Sequence, residues 1–99
     1  MRFEWDEAKN RSNLQKHGVS FEDIRELFYD STERLELLDV DHSEIEERFI
    51  TIGPLKRGVV GLVVVIWTQR DDDVTRIISA RWATKREQAR YQSYMDQRS

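Results

Sequence analysis

Apolar and polar positions alternate with two different periods along this chain. Between Ser20 and Asp30, Phe21, Ile24, Leu27 and Phe28 fall on one face of a helix. From Arg34 onward the spacing shortens to that of strands. Arg34 to Val40 alternates roughly, and Glu47 to Gly53 is rich in Ile, Phe and Thr and ends at Gly53-Pro54. Gly58 to Thr68, GVVGLVVVIWT, has five valines and near-continuous apolarity, the pattern of a central strand covered on both faces. Val74 to Ala80 is the last strand. Lys56-Arg57-Gly58 and Asp71-Asp72-Asp73 read as the turns between strands, so the sheet is expected to be a four-stranded antiparallel meander.

Punctuation marks the helices. Asp6 can accept hydrogen bonds from the free N–H groups of a first turn, and His17-Gly18 can end that helix in a left-handed C-cap, with Lys16 suiting the negative helix end. Ser20 and Asp23 form a weaker capping box for a second helix closing at Asp30-Ser31. Thr84 and Glu87 form a T-x-x-E box that starts a third helix near Lys85, with a partial apolar stripe of Ala89, Tyr91, Tyr94 and Met95. Phe3-Glu4-Trp5 is a short strand or extended lead-in. The expected fold is therefore α+β and a single domain over residues 1–99: two N-terminal helices, the meander, and a C-terminal helix.

Composition narrows the function classes. The chain has 99 residues, room for one small core, which a partner or a second copy would help to stabilise. Its formal charge is −3, from 16 Lys and Arg against 19 Asp and Glu, so nucleic acid must be met by a local cluster of cations. The helical hairpin is a poor DNA reader, because FEDIRELFYD is acidic and repels phosphate. The absence of cysteine excludes disulfides and thiolate metal sites. No signal peptide or bilayer-length apolar run is present, and the expected location is cytoplasmic, with no membrane association.

Candidate chemistry is sparse. The only conceivable cation ligands, Asp39, Asp41 and His42, have the look of a solvated turn, so no metal and no cofactor are expected. There is no nucleophile elbow and no phosphate-binding glycine loop. What remains is a set of arginines, lysine, histidine and carboxylate: Lys16, His17, Glu47, Arg48, Arg76, Arg81 and Tyr91. Its natural chemistry is metal-independent cleavage of an RNA phosphodiester by its own 2′-OH. Arg81 and Arg76 would meet phosphate, since guanidinium binds it bidentately. An imidazole such as that of His17 can carry a proton, and Tyr91 can stack on a base or donate a hydrogen bond. The bland alternatives are a helix-end role for His17 and a cross-strand ion pair for Glu47-Arg48. In a regular strand, RIISARW puts Arg76 and Arg81 on opposite faces, and only a bulge or bend near Ser79-Ala80 would bring them together. Arg81, where the strand feeds the helix, is the favoured phosphate ligand.

Several stretches together resemble the BrnT toxin family: Phe3-Glu4-Trp5-Asp6 with Lys9 and Asn13; Lys16-His17-Gly18-Val19 with Phe21-Glu22; Asp30; His42, Glu47-Arg48 and Ile52-Gly53; Arg76-Ile77-Ile78-Ser79-Ala80-Arg81; and Glu87 with Tyr91. The resemblance implies a RelE-like ribonuclease fold and a toxin of a type II toxin–antitoxin pair that cuts RNA and halts translation. It further implies a small BrnA-like antitoxin that neutralises the toxin in a complex of two copies of each protein. Operator DNA would be contacted only through that antitoxin. Carried onto this chain, the catalytic positions are Arg81, His17, Glu47, Lys16 and Tyr91 and the substrate-binding positions Arg76 and Arg48; Trp82 is a further substrate-binding candidate outside the matched positions. Trp82 stands where a smaller or polar residue is expected, as a stacking surface or a cover for the core. The competing function is a non-catalytic binding module that acts as co-repressor or scaffold with a DNA-binding antitoxin.

Overall fold

The computed structural model describes residues 1–29, 33–42, 46–56, 61–71 and 73–98. Asp30-Ser31, Arg57-Gly58, the start of the valine-rich run before Gly61, Asp72 and the His42 side chain lie outside the described residues. In chain order the elements are β1 (Arg2–Glu4), α1 (Glu7–His17), α2 (Phe21–Ile24) continuing as a 3-10 turn over Arg25–Phe28, and β2 (Leu35–Leu38). A 3-10 turn at Val40–His42 leads to β3 (Arg48–Leu55), β4 (Gly61–Arg70), β5 (Val74–Trp82) and α3 (Lys85–Arg98).

The caps form as their residue types dictate. Asp6 accepts from the N–H groups of Ala8 and Lys9, and Gly18 ends α1 at φ +71°, where a side chain would be strained. Ser20 accepts from the Asp23 N–H to start α2. At α3, Thr84 Oγ1 accepts from the Glu87 N–H at 3.2 Å while Glu87 Oε1 accepts from the Thr84 N–H at 2.9 Å, a reciprocal capping box.

The sheet departs from the expected meander. It has five strands in the order β1-β5-β4-β3-β2. The last four are antiparallel neighbours, but β1 adds to the far side of β5 in parallel, with Glu4 opposite Arg76. Phe3-Glu4-Trp5 thus contributes a real strand at Arg2–Glu4, and the sheet is mixed. A parallel neighbour needs a long crossover, and here the whole of α1 to β4 provides it. β3 also runs past Gly53-Pro54 to Leu55. Pro54 lies beyond Ile52, the last β3 residue that β2 pairs, so its missing N–H leaves no ladder bond to β2 unmade. The second helix is shorter than expected, tightening into the 3-10 turn after Ile24.

Two apolar layers enclose the sheet. On one face Val19, Phe21, Ile24, Leu27 and Phe28 pack on Val63, Val65, Ile77 and Ala80. On the other face Tyr91 of α3, with Tyr94 and Met95, covers Leu35, Ile52 and Val64. β4 is the expected central strand: Val63, Val64 and Val65 are all essentially inaccessible, and they alternate between the two layers.

Candidate functional site

β5 carries an irregularity that rearranges its side chains. Trp67 stands opposite Ile77 and Ile66 opposite Ser79, so Ile78 is an extra residue, a β-bulge. Ile77 and Ala80, three residues apart, consequently both enter the α1 and α2 layer. Arg76 lies opposite Thr68, and Arg81 opposite Val64. Thr68 and Val64 are four residues apart on β4, so both arginines share the α3 face. The opposite-face expectation for a regular strand is thereby overturned. The two guanidiniums still do not form one clamp, since four strand residues separate their partners by about 13 Å.

Each arginine has a carboxylate partner. Arg76 lies 3.5 Å from Glu4, its neighbour in register on β1. Arg81 makes a fork-to-fork pair with Glu87: Nη1 donates to Oε1 at 2.7 Å and Nη2 to Oε2 at 2.8 Å. Nη1 also donates to the Trp82 carbonyl at 3.3 Å. The pair raises the Arg81 pKa, through the hydrogen bond first, and holds the Glu87 carboxyl at about 2, mainly through Arg81 and further through Thr84. The opposite edge of the Arg81 guanidinium, Nε–H with the second Nη2 hydrogen, makes no hydrogen bond among the described residues, and the side chain is 45% exposed. A phosphate can dock there bidentately.

On the other side of β5 lies a cationic groove. β1 pairs with β5 only over Val74–Arg76, so from Ile77 onward the outer edge of β5 has no strand against it among the described residues. α1 runs over this edge instead. The resulting cavity, of about 240 Å³, is lined by Lys9, Ser12, Asn13, Lys16 and His17 of α1 and by Ser79 at the bulge. Phe21 and Ile78 form its apolar part, and no carboxylate lines it. Asn13 holds the helix to the edge. Its Oδ1 accepts from the Ala80 N–H at 3.4 Å and its Nδ2 donates to the Val19 carbonyl at 3.1 Å. One turn earlier Asn10 holds α1 to α2, with Oδ1 accepting from the Phe21 N–H and Nδ2 donating to Glu22 at 2.7 Å.

Trp82 joins the groove to Arg81. Its Nε1 donates to the His17 carbonyl at 2.8 Å, and its ring packs beside the first core layer and against Gly61. A Cβ at Gly61 would meet the ring at 3.0 Å, so glycine makes room for it. The indole therefore fixes the last residue of α1 to the end of β5, with Lys16 and His17 exposed on one side and Arg81 on the other.

The other expected site residues stand apart. Tyr91 is buried, with its hydroxyl donating to the Glu33 carbonyl at 2.7 Å. Arg48 lies in register with Thr68 and Arg76 and has Glu46, not Glu47, at 3.9 Å. Glu47 precedes β3, two strands or about 10 Å across the sheet from β5, and its carbonyl accepts from Thr68 Oγ1 at 2.7 Å. The geometry thus places Lys16 and His17 in the groove, links His17 to Trp82, sets Arg81 beside Trp82 on the α3 face, and separates these from Glu47, Arg48, Arg76 and Tyr91. Lys9, Ser12 and Ser79 join the site without having stood out as chemistry in the sequence. Lys9, Ser12 and Lys16 recur at helical spacing on one face of α1, and that polar stripe is the signal that could have found two of the three and Lys16 with them.

Comparison with known proteins adds an independent observation. The sequence model of a family described as "Ribonuclease toxin, BrnT, of type II toxin-antitoxin system" matches residues 5–87. The 1.1 Å crystal structure of the Brucella abortus ribonuclease toxin BrnT is similar in fold, with a TM-score of 0.63 and 26% sequence identity. The alignment covers 86% of this chain and 99% of the Brucella chain. No curated protein matches the sequence.

Proposed function

This chain belongs to the BrnT family of ribonuclease toxins of type II toxin–antitoxin systems, and from that premise we propose that it cleaves RNA at the open end of β5. The observation that carries the proposal is the convergence of Lys16 and His17 at a groove without carboxylates, tied by the Trp82–His17 hydrogen bond to Arg81 on the other side of the strand.

The ribose 2′-OH attacks the adjacent phosphorus, the bond from phosphorus to the 5′-oxygen breaks, and a 2′,3′-cyclic phosphate and a 5′-hydroxyl result. The imidazole of His17 carries the proton between these oxygens. Lys16 stabilises the charge that builds on the phosphoryl oxygens from the groove side, and the open edge of Arg81 does so from the α3 face, with the RNA passing round the end of β5 between them. Glu87 is a positioning residue: its two bonds to Arg81 fix the plane of the guanidinium, so that the free edge faces outward without rotational loss. The groove's donors are ammonium, imidazole, amide and hydroxyl, which supports a route without a resident metal. Arg76 and Arg48 are assigned to the sheet's ion-pair row, and Tyr91 to the packing of α3. Glu47 has no step in this route.

Type II systems pair each toxin with an antitoxin, and a BrnA-like protein in a complex of two toxins and two antitoxins fits that role, with inhibition of translation as the cellular outcome and the cytoplasm as its place. No helix among the described residues is long and apolar enough to cross a membrane. The exposed Leu38 at the sheet edge and Val40 just after it offer the antitoxin an apolar surface. These same side chains favour the second reading, a non-catalytic module that only binds its partner.

An Arg81→Ala variant separates the two. On the enzymatic reading it loses RNA cleavage in EDTA by at least ~100-fold, the scale of one missing oxyanion donor, while it still binds the antitoxin. Equal cleavage by wild type and variant would remove Arg81 from the mechanism. Wild-type protein that cuts no RNA but tightens operator binding by its partner would favour the module.

A further inference from the structure

Several of the cations on and around the sheet are matched to acids. Arg2 meets Asp73, Arg34 meets Glu36, Lys56 meets Glu33, and Arg70 and Arg76 share Glu4. The exposed face of α1 is different. Lys9 and Lys16 line the β5-edge groove, and no carboxylate is among its walls. In a chain of net charge −3 this is a local reversal of sign. Ser12 lies between the two lysines on the same face, and the seven helical steps from Lys9 to Lys16 span about 10.5 Å. That is more length than the scissile phosphate at Lys16 and His17 requires.

We infer that the α1 face of Lys9, Ser12 and Lys16 is a backbone track for single-stranded RNA, holding a second phosphate on Lys9 and Ser12 upstream or downstream of the one that reacts. The inference rests on the ribonuclease reading and extends its site from one phosphodiester to a strand segment. The groove suits phosphate more than base: its reaching groups are two ammoniums and hydroxyls, which bind backbone without reading sequence. The C-terminal end of a helix normally repels anions, but here the His17 carbonyl is taken by the Trp82 indole and the Leu14 carbonyl by the Gly18 N–H. Those two bonds blunt the negative end where the strand would pass. The track also explains how an acidic protein holds RNA: affinity comes from one short cationic face, so it should be modest and steeply dependent on salt.

The test is the salt dependence of binding. A short single-stranded RNA with 2′-O-methyl riboses, which cannot be cut through the 2′-oxygen, is titrated with the isolated chain and followed by fluorescence anisotropy. For every phosphate that a variant no longer neutralises, the slope of log affinity against log salt should fall by about 0.7. Lys9→Gln is expected to show that decrease, and Lys9→Gln with Lys16→Gln about twice as much. Arg90→Gln, the same charge change on the exposed surface of α3 across the sheet, should leave the slope alone. The Lys9 side chain is exposed, so its substitution keeps the fold, as a thermal melt will confirm. Wild type that cleaves ordinary RNA while Lys9→Gln keeps the full slope would overturn the track and leave the ribonuclease reading standing. Wild type that neither binds the probe nor cleaves would overturn both.

Discussion

At the scale of single residues, Glu87 does two jobs with one carboxylate. It closes the capping box of α3 and holds Arg81 in a fork-to-fork pair. Its folded pKa, at about 2, lies below the ordinary 4.5, so the pair contributes in full above about pH 4.5 and its contribution is lost as pH falls through about 2. Glu87→Gln should therefore unfold at lower urea than wild type near neutral pH, and the two midpoints should draw together as the pH approaches 2. The loss at neutral pH should be on the order of 1 kcal/mol, since a cap and a partly exposed ion pair are each worth about that or less. The same variant should reduce cleavage more than it reduces RNA affinity, because a guanidinium that turns freely still attracts phosphate but no longer meets it in register. Trp82 is the other residue with a separable polar bond. Trp82→Phe keeps a ring beside Gly61 and removes the bond to His17; it should lower the rate of cleavage with little change in the thermal midpoint, measured side by side on the same preparations.

At the scale of elements, α1 is fastened by amides rather than by an apolar stripe, Asn13 to β5 and Asn10 to α2. Asn10 and Asn13 are its only buried residues. Asn13→Ala would leave the Ala80 N–H and the Val19 carbonyl without partners, a loss of about 1–3 kcal/mol in denaturant unfolding. It should also loosen the groove and weaken RNA binding, although Asn13 itself carries no charge. The caps of α1, α2 and α3 were legible because each depends on two or three neighbouring residue types. The central strand was legible from its valines. The bulge at Ile78 was not, because Ile-Ile-Ser fits a regular strand equally well and the extra residue is defined only by its partners on β4. That single residue decides which face Arg81 occupies. The parallel placement of β1 was hidden for the same reason: three residues give no periodicity, and their partner lies some seventy positions along the chain. The polar candidates could be picked out as residue types, but their grouping in space was not legible. Tyr91 looked like a neighbour of Arg81 because it follows Glu87 by one helical turn, yet its ring points into the core and its hydroxyl reaches Glu33.

At the scale of the whole molecule, acidity and nucleic-acid chemistry coexist through segregation. Carboxylates sit beside Arg2, Arg76 and Arg81 of the sheet, while none lines the α1 groove. The edge strand β2, with exposed Leu38 and nearby Val40, lies at the opposite side of the sheet from the β5 edge. If the antitoxin covers the β2 side, its binding and RNA binding need not share a surface, and neutralisation would then require a segment reaching over to α1. Leu38→Lys should weaken the toxin–antitoxin complex in a calorimetric titration while leaving the cleavage rate of the free toxin intact.

The central claim is that RNA is cut by its own 2′-hydroxyl at the open end of β5. The most direct measurement uses an oligonucleotide that is deoxyribose throughout except for one ribose, incubated with the free toxin in EDTA, with the product ends identified by mass. The account predicts a single cut after that ribose, leaving a 2′,3′-cyclic phosphate and a 5′-hydroxyl, and no comparable cut by Arg81→Ala. Cleavage at deoxyriboses, or cleavage that stops when EDTA is added, would contradict it.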